Sequence, residues 1–217
     1  MNADVLSITF FTGVIGATLR MATPIIFATL GEIISERSGV LNLGIEGTML
    51  IGAMSGFLAT LITGNLWFGV FVAMVVGMFF GFLMSILAVY LGLSQHVSGL
   101  GLTMLATGLS MFIYRLHVGS PTNPPIVEPF NKIAIPILHK IPLIGDGLFN
   151  NYMLTYIAFL LIPVIALFLY RTHAGLKVRT VGTNPFAADT VGVNVNATRM
   201  ACLVIGGGLM GIGGAFL

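Results

Sequence analysis

Charge is what this sequence has least of. Its 217 residues carry 9 Lys+Arg and 7 Asp+Glu, so charged residues make up 7%, where an ordinary soluble domain has about 25%. Hydrophobic residues make up 57%, with a mean hydropathy of +1.03. A soluble globule cannot cover its surface with so few charges, which argues against a soluble enzyme and a disordered tail. The net charge of +2 is too small for a polyanion, and no nucleic-acid partner is expected. Cysteine is nearly absent: Cys202 stands alone in an apolar run, so there is no disulfide framework and no CxxC pair. His96 has no second ligand at metal spacing, and no metal is expected. The GxxxxGK[ST], HExxH and GxSxG patterns are also missing. The chain is therefore not read as an enzyme and has no candidate catalytic residue; any ATP used would sit on a partner. Strand-like alternation is lacking, which argues against a membrane barrel. The first residues, Met1-Asn2-Ala3-Asp4, are acidic and do not resemble a secretory signal.

What is there is apolar and long. The 68 residues 47–114 contain no Asp, Glu, Lys or Arg. Crossing a bilayer core takes about 20 helical residues, so this stretch alone holds about three crossings. Thr63-Gly64-Asn65 and Gly92-Leu93-Ser94 divide it. Across the chain the pattern predicts six helical segments, near 5–30, 40–62, 67–91, 97–117, 150–170 and 199–217, the last short or incomplete. The expected fold is all-α: a single polytopic transmembrane domain over residues 1–217.

Basic residues orient such a chain, because they are retained on the cytoplasmic side. Arg171, Lys177, Arg179 and Arg199 make 171–199 a cytoplasmic loop; Arg37 then falls inside and Arg20 in the inner half, leaving the N-terminus outside. Arg115, Lys132 and Lys140 fall outside. The stretch 116–149, with Pro121, Pro124, Pro125, Pro129, Pro136 and Pro142, reads as a non-helical extracytoplasmic connection. It either touches a partner or merely links two helices.

Three constellations stand out. Between Gly31 and Gly47, Glu32, Glu36, Arg37 and Glu46 sit among four glycines. Asn42 and Glu46 are spaced i,i+4 on what would be one helical face, and a charge inside the membrane costs about 3 kcal/mol. That favours a face on a polar path, with a buried pair to Arg20, or a simple interfacial turn, as alternatives. Further on, Gln95 and Ser98 precede Thr103, Thr107 and Ser110, a hydroxyl stripe that serves either as interhelical glue or as part of a path. Last, Asn184 is a good N-cap, Pro185 suits the first turn, Asp189 would lie near the positive end, and Gly192 suits C′. This predicts a two-turn helix over 185–191 that turns Ala187, Ala188 and Val191 outward to dock in a groove on another protein, or to lie on headgroups. The pairs Gly52/Gly56, Gly77/Gly81 and Gly207/Gly211 allow close helix approach.

Four stretches together resemble a known family. They are GEIISERSGVLNLGIEGTMLIGA (31–53), QHVSGLGLTMLATGLSMFIYRLHVG (95–119), IPLIGDGLFNNYMLTYIAFLLIPVIALFLYRT (141–172) and GLKVRTVGTNPFAADTVGVNV (175–195). In this order they are similar to the permease subunits of bacterial ABC importers for nucleosides and simple sugars, within the ribose-type and branched-chain amino-acid permease group. The resemblance implies a multi-pass subunit of the bacterial cytoplasmic membrane that translocates a small polar solute, with a nucleoside expected. It implies a cytoplasmic ATP-binding subunit, a second homologous permease and an extracytoplasmic substrate-binding lipoprotein as partners. The short helix, with Asn184, Pro185, Ala187, Ala188, Asp189 and Gly192, would couple to the ATPase, and Asn42, Glu46, Gln95, Ser98 and Thr103 would lie along the substrate path. Thr103 stands where relatives often have asparagine. The family continues past the point where this chain stops, at Leu217, so a truncated chain unable to transport alone is expected. An ion-coupled carrier, with Glu46 as its coupling carboxylate, is the alternative.

Overall fold

A computed structural model describes residues 8–119, 125–134 and 150–217. Its elements are α1 (Ile8–Arg37), α2 (Ile45–Thr63), α3 (Leu66–Ser85) running on as a π-helical turn (Ile86–Tyr90), α4 (Gln95–Val118), β1 (Lys132–Ala134), β2 (Asn150–Tyr152), α5 (Met153–Arg171), α6 (His173–Thr183), α7 (Pro185–Thr190) and α8 (Val195–Phe216). Among the described residues, six helices are long and apolar enough to cross a membrane: α1, α2, α3 with its π turn, α4, α5 and α8. The chain is an all-α polytopic membrane protein. Among the described residues β1 pairs antiparallel with β2, with Lys132 opposite Tyr152.

The helices run back and forth between two ends. At one end α1 stops, α2 starts, α4 starts, and α6 and α7 pack beside the end of α1 and the start of α8. The other end holds the α2–α3 hairpin, the ribbon, and residues 125–131, which have no regular structure and form a strap.

The core is built around α8, which packs chiefly on α3, α1 and α2. Helices in lipid gain little from burying apolar surface against each other, so close approach through small residues sets their packing. Here backbone meets backbone: Gly207 lies against Gly77 (α3), Gly206 against Gly31 (α1), and Gly211 against Gly52 (α2). A Cβ at Gly77 would collide with the Gly207 carbonyl, and one at Gly52 would lie 2.7 Å from the Gly211 carbonyl. All three glycine pairs noted in the sequence take part. Larger side chains fill the gaps between contacts, with Phe27, Leu203 and Met210 fully buried.

Several boundaries differ from expectation. The helix expected over 199–217 begins at Val195, because the Asn194 side chain caps it by accepting from Ala197 N at 2.9 Å; at 22 residues it is long enough to span. The first helix runs past Leu30 to Arg37, with Ser35 donating to Gly31 O. Arg20 therefore lies 17 residues before the end of α1, about 25 Å along it. Thr23, one turn on, bonds Thr155 at the start of α5 (3.1 Å), so Arg20 belongs to the strap end and not to the inner half. The stretch 171–199 is helix for most of its length. Of the expected connection 116–149, α4 takes residues up to Val118; Pro125 and Pro129 lie in the strap. Pro121, Pro124, Pro136, Pro142 and Lys140 lie outside the described residues, as does the N-terminus.

Candidate functional site

The polar residues gather where α1 turns into α2. The α1 helix ends with Gly39 at φ +87°, a left-handed conformation that glycine adopts without a Cβ penalty. Residues 38–44 then cross to α2 as an irregular turn whose backbone donors must be satisfied in an apolar setting. Three side chains do this. Glu32 accepts from Asn42 N (2.9 Å), Gln95 accepts from Leu41 N (2.9 Å), and the Asn42 carbonyl oxygen accepts from Gly44 N (2.9 Å). The Asn42 amide donates to the Met210 sulfur at 3.7 Å. Asn42 is 2% exposed, so the turn is tied to α1, α4 and α8 by buried or half-buried polar groups. Such contacts are expensive to lose, because each would leave a buried group unsatisfied.

This arrangement corrects one expectation. Asn42 and Glu46 do not share a helical face, because the helix starts only at Ile45. Glu46 is exposed in the first turn of α2, where a carboxylate is favoured by the helix dipole. No ion pair of Glu46 with Arg20 forms, since the two sit at opposite ends. The carboxylate that does face inward is Glu32, whose second oxygen is buried without a hydrogen-bond partner. Sequence reasoning passed over Glu32 as part of an interfacial turn; its spacing of ten from Asn42 carries no helical signal.

The other path candidates lie on α4. Gln95 is half-buried and holds the turn. Ser98 is buried, and its hydroxyl has no partner. Thr103 and Thr107 are half-buried but spend their hydroxyls on their own helix, donating to Gly99 O (3.1 Å) and Thr103 O (2.8 Å). Ser110 is buried with its hydroxyl unpartnered. The stripe is therefore not a hydrogen-bonded interhelical seam. Thr103 meets α2 through its backbone, where a Cβ at Gly47 would collide with it.

The short helix forms as the sequence predicts. The Asn184 side chain accepts from Ala187 N (3.0 Å) and Pro185 is the first residue. Gly192, at φ +82°, closes the far end: Val193 N donates to Ala188 O (3.0 Å) and Gly192 N to Asp189 O (2.9 Å), the bonding pattern of a Schellman stop. Two details differ. Ala188 is fully buried rather than displayed, because it faces back into the protein, and Asp189 lies in the last turn instead of at the positive end. Phe186 is the residue the sequence reading missed. It is 85% exposed, beside Val191 at 74%, on a helix presented at one end of the bundle. A large aromatic residue directly after the Asn184-Pro185 helix start was the available signal.

The two groups are joined. At the end of α6, Gly182 packs so closely on the Arg37–Gly39 backbone that a Cβ would collide with Arg37 O. Arg199, in α8, donates from Nε to Ser38 O (3.2 Å). Arg179, also on α6, lies over the Tyr170 ring at 5.2 Å, bracing α6 on α5. Chain segments carrying Asn42 and Gln95 are thus connected to α7 through backbone-on-backbone contact. No cluster of three metal-ligating residues occurs among the described residues.

A family profile described as the permease component of branched-chain amino acid transport systems matches residues 14–217. The chain is 41% identical over 212 residues to a putative glucose ABC transporter permease protein of Haloferax volcanii, covering 96% of this chain and 63% of that protein. It is 38% identical over 208 residues to a guanosine ABC transporter permease protein of Bacillus subtilis, covering 93% of this chain and 65% of that one. To a nucleoside ABC transporter permease protein of Lactococcus lactis it is 34% identical over 210 residues, covering 93% and 66%. The chain thus spans just under two thirds of the length of these relatives. No solved structure matches it. With six apolar helices among the described residues, it is a multi-pass protein of the cytoplasmic membrane.

Proposed function

Since the chain belongs to the family of branched-chain amino acid transport system permease components, we propose that it is the transmembrane permease subunit of an ABC importer for a small polar solute, with a nucleoside as the favoured cargo. Relatives whose names specify guanosine, nucleoside and glucose support that solute class. ATP is bound and hydrolysed on a cytoplasmic partner. A second homologous permease completes the membrane unit, and an extracytoplasmic binding lipoprotein delivers the solute. In this reading the α7 end is cytoplasmic, where Arg37, Arg171, Lys177, Arg179 and Arg199 gather, and the strap end faces outward.

The observation that carries the ATP-driven reading is α7: a helix of under two turns, stopped at both ends and showing Phe186, Ala187 and Val191 outward. A short rigid element with a small apolar face suits a groove on the ATPase. Movement of α7 would pass through Gly182 to the 38–44 turn, and so to Asn42 and Gln95. An ion-coupled carrier is disfavoured because Glu46, its only expected coupling carboxylate, is exposed at a helix start.

The test is uptake in proteoliposomes holding the permease as encoded, its partner permease, ATPase and binding protein. Uptake that needs the ATPase and stops with vanadate supports the reading; uptake collapsed only by an uncoupler overturns it. Phe186→Ala is expected to lower ATP-driven uptake at least about tenfold, equivalent to about 1.4 kcal/mol of coupling, without altering thermal stability of the isolated permease.

A further inference from the structure

Each backbone donor of the 38–44 turn needs an acceptor in an apolar setting. Ser38 N and Val40 N donate to Ser35 O (3.0 and 3.3 Å), and Gly39 N to Glu36 O (2.9 Å), so the last carbonyls of α1 take all three. Asn42 N goes to Glu32, on α1 itself, and Gly44 N to the Asn42 side chain. Of these turn donors, only Leu41 N is served from another helix, by Gln95 Oε1 at 2.9 Å. Gln95 is the first residue of α4. One turn on, Gly99 presses on the same segment, where a Cβ would lie 2.9 Å from Leu43 Cβ and 3.0 Å from Gly44 N. Leu102 and Ala106, both buried, continue this face of α4 at helical spacing, and α4 packs chiefly on α2. The start of α4 is thus gripped by the turn at two points, one polar and one steric.

The other flank of the turn is gripped from α6 and α8. A Cβ on Gly39 would lie 3.2 Å from Gly182 Cα and 3.2 Å from Arg199 Nη2, while Arg199 Nε donates to Ser38 O. Between the flanks Val40 is buried, so the turn cannot swing free without opening the core. Close-packed segments of this kind shift as units.

We propose that Gln95 is a positioning residue: its carboxamide fastens the start of α4 to the 38–44 turn, so that α4 follows the displacement that α6 and α7 impose there. The inference rests on the permease reading above, which supplies the displacement. It gives Gln95 a task other than the solute contact expected of it, since its oxygen is spent on Leu41 N. Glu32 has a complementary part. By holding Asn42 N it ties the turn back to its own helix, and the end of α1 and the turn move as one body. The apolar contact at Gly99 resists a push of the turn against α4 but not a pull away from it. The Gln95 bond resists both, because separation would leave the Leu41 N–H without an acceptor.

Gln95→Met keeps the length of the side chain and removes its acceptor. Gln95→Glu keeps an oxygen acceptor at a helix start, where a carboxylate is favoured. In the permease as encoded, hydrogen exchange at the Leu41 amide, followed by mass spectrometry with fragmentation, is expected to quicken about tenfold in Gln95→Met and to stay near the wild-type rate in Gln95→Glu. In proteoliposomes holding the complete importer, the number of labelled guanosine or glucose molecules moved per ATP hydrolysed should fall roughly fivefold in Gln95→Met and recover in Gln95→Glu. A merely structural Gln95 would lower uptake and ATP hydrolysis together and leave that ratio unmoved. A Gln95 that only touched solute would leave the Leu41 amide unmoved, and the added charge of Gln95→Glu would not restore uptake. Any of these results overturns the proposal. An unmoved ratio in an importer whose uptake still needs the ATPase removes the inference and leaves the permease reading standing. Uptake that needs no ATPase, with a Leu41 amide that depends on Gln95 as expected, upholds the fastening of α4 while the permease reading fails.

Discussion

Helices α4 and α8 have the same mean hydropathy over their most apolar windows, yet 28% of that window is buried in α4 and 50% in α8. The difference lies in where the glycines point. In α8, Gly206, Gly207 and Gly211 each press on the backbone of a neighbouring helix, whereas Gly101 and Gly108 of α4 have nothing within 4 Å of a Cβ position. One face of α4 is instead set with Val97, Leu100, Met104, Met111 and Phe112, each at least 58% exposed. Hydropathy sends both helices into the membrane with equal force. Only the small residues that allow backbone contact decide which of them becomes the axis of the bundle.

That comparison can be broken most severely at Gly207. A leucine there has no space against Gly77 and Gly81, and overpacking of this kind costs about 3 kcal/mol or more. Gly207→Leu is expected to abolish a monodisperse peak in detergent size-exclusion chromatography, and a normal peak would mean that α8 is not the axis. A smaller effect is expected at Gly99, the one α4 glycine that does press on a neighbour, with a Cβ placed 2.9 Å from Leu43 Cβ and 3.0 Å from Gly44 N. Gly99→Val should cost about 1–3 kcal/mol, lower the melting midpoint followed by far-UV circular dichroism, and loosen the turn that holds Asn42. The smallest effect belongs to Gly108. With open space around it and helical backbone, Gly108→Ala should leave the midpoint unchanged or raise it, by at most about 1 kcal/mol. A clear loss at Gly108 would show a contact that the bundle does not contain, such as a partner seated on α4.

Much of this was readable in the residues. The uncharged runs located six helices, five of them to within five positions at each end and the first stopping seven residues later than expected, and the Asn-Pro…Gly pattern located α7 and both of its stops, because caps are local chemistry. The glycine pairs marked where helices approach closely, but the roles of single polar residues that depend on a neighbour distant in sequence were misread. Asn42 and Glu46 share a face only if the helix already runs through residue 42; Glu32, Gln95 and Met210 instead hold Asn42 in a turn. Ala188 reads as a surface residue because alanine is small, and it is buried because α7 lies against the bundle. Glu32 gave no signal at all, since its partner, Asn42 N, is a backbone group reached only once the chain has turned.

The charges that the sequence so largely lacks mark the same boundary. Composition alone determined that this is a helical membrane protein, because in lipid each helix satisfies its own backbone and needs only an apolar surface. Composition and capping chemistry also determined where most of the helices stop, though not the end of α1. Tertiary structure alone decided that Arg20 belongs to the strap end, that Glu46 is exposed while Glu32 faces inward, and that α8 rather than α4 sits at the centre. Those outcomes depend on which backbones can touch, and contact between segments far apart in the chain is a property of the assembled bundle, not of any one helix.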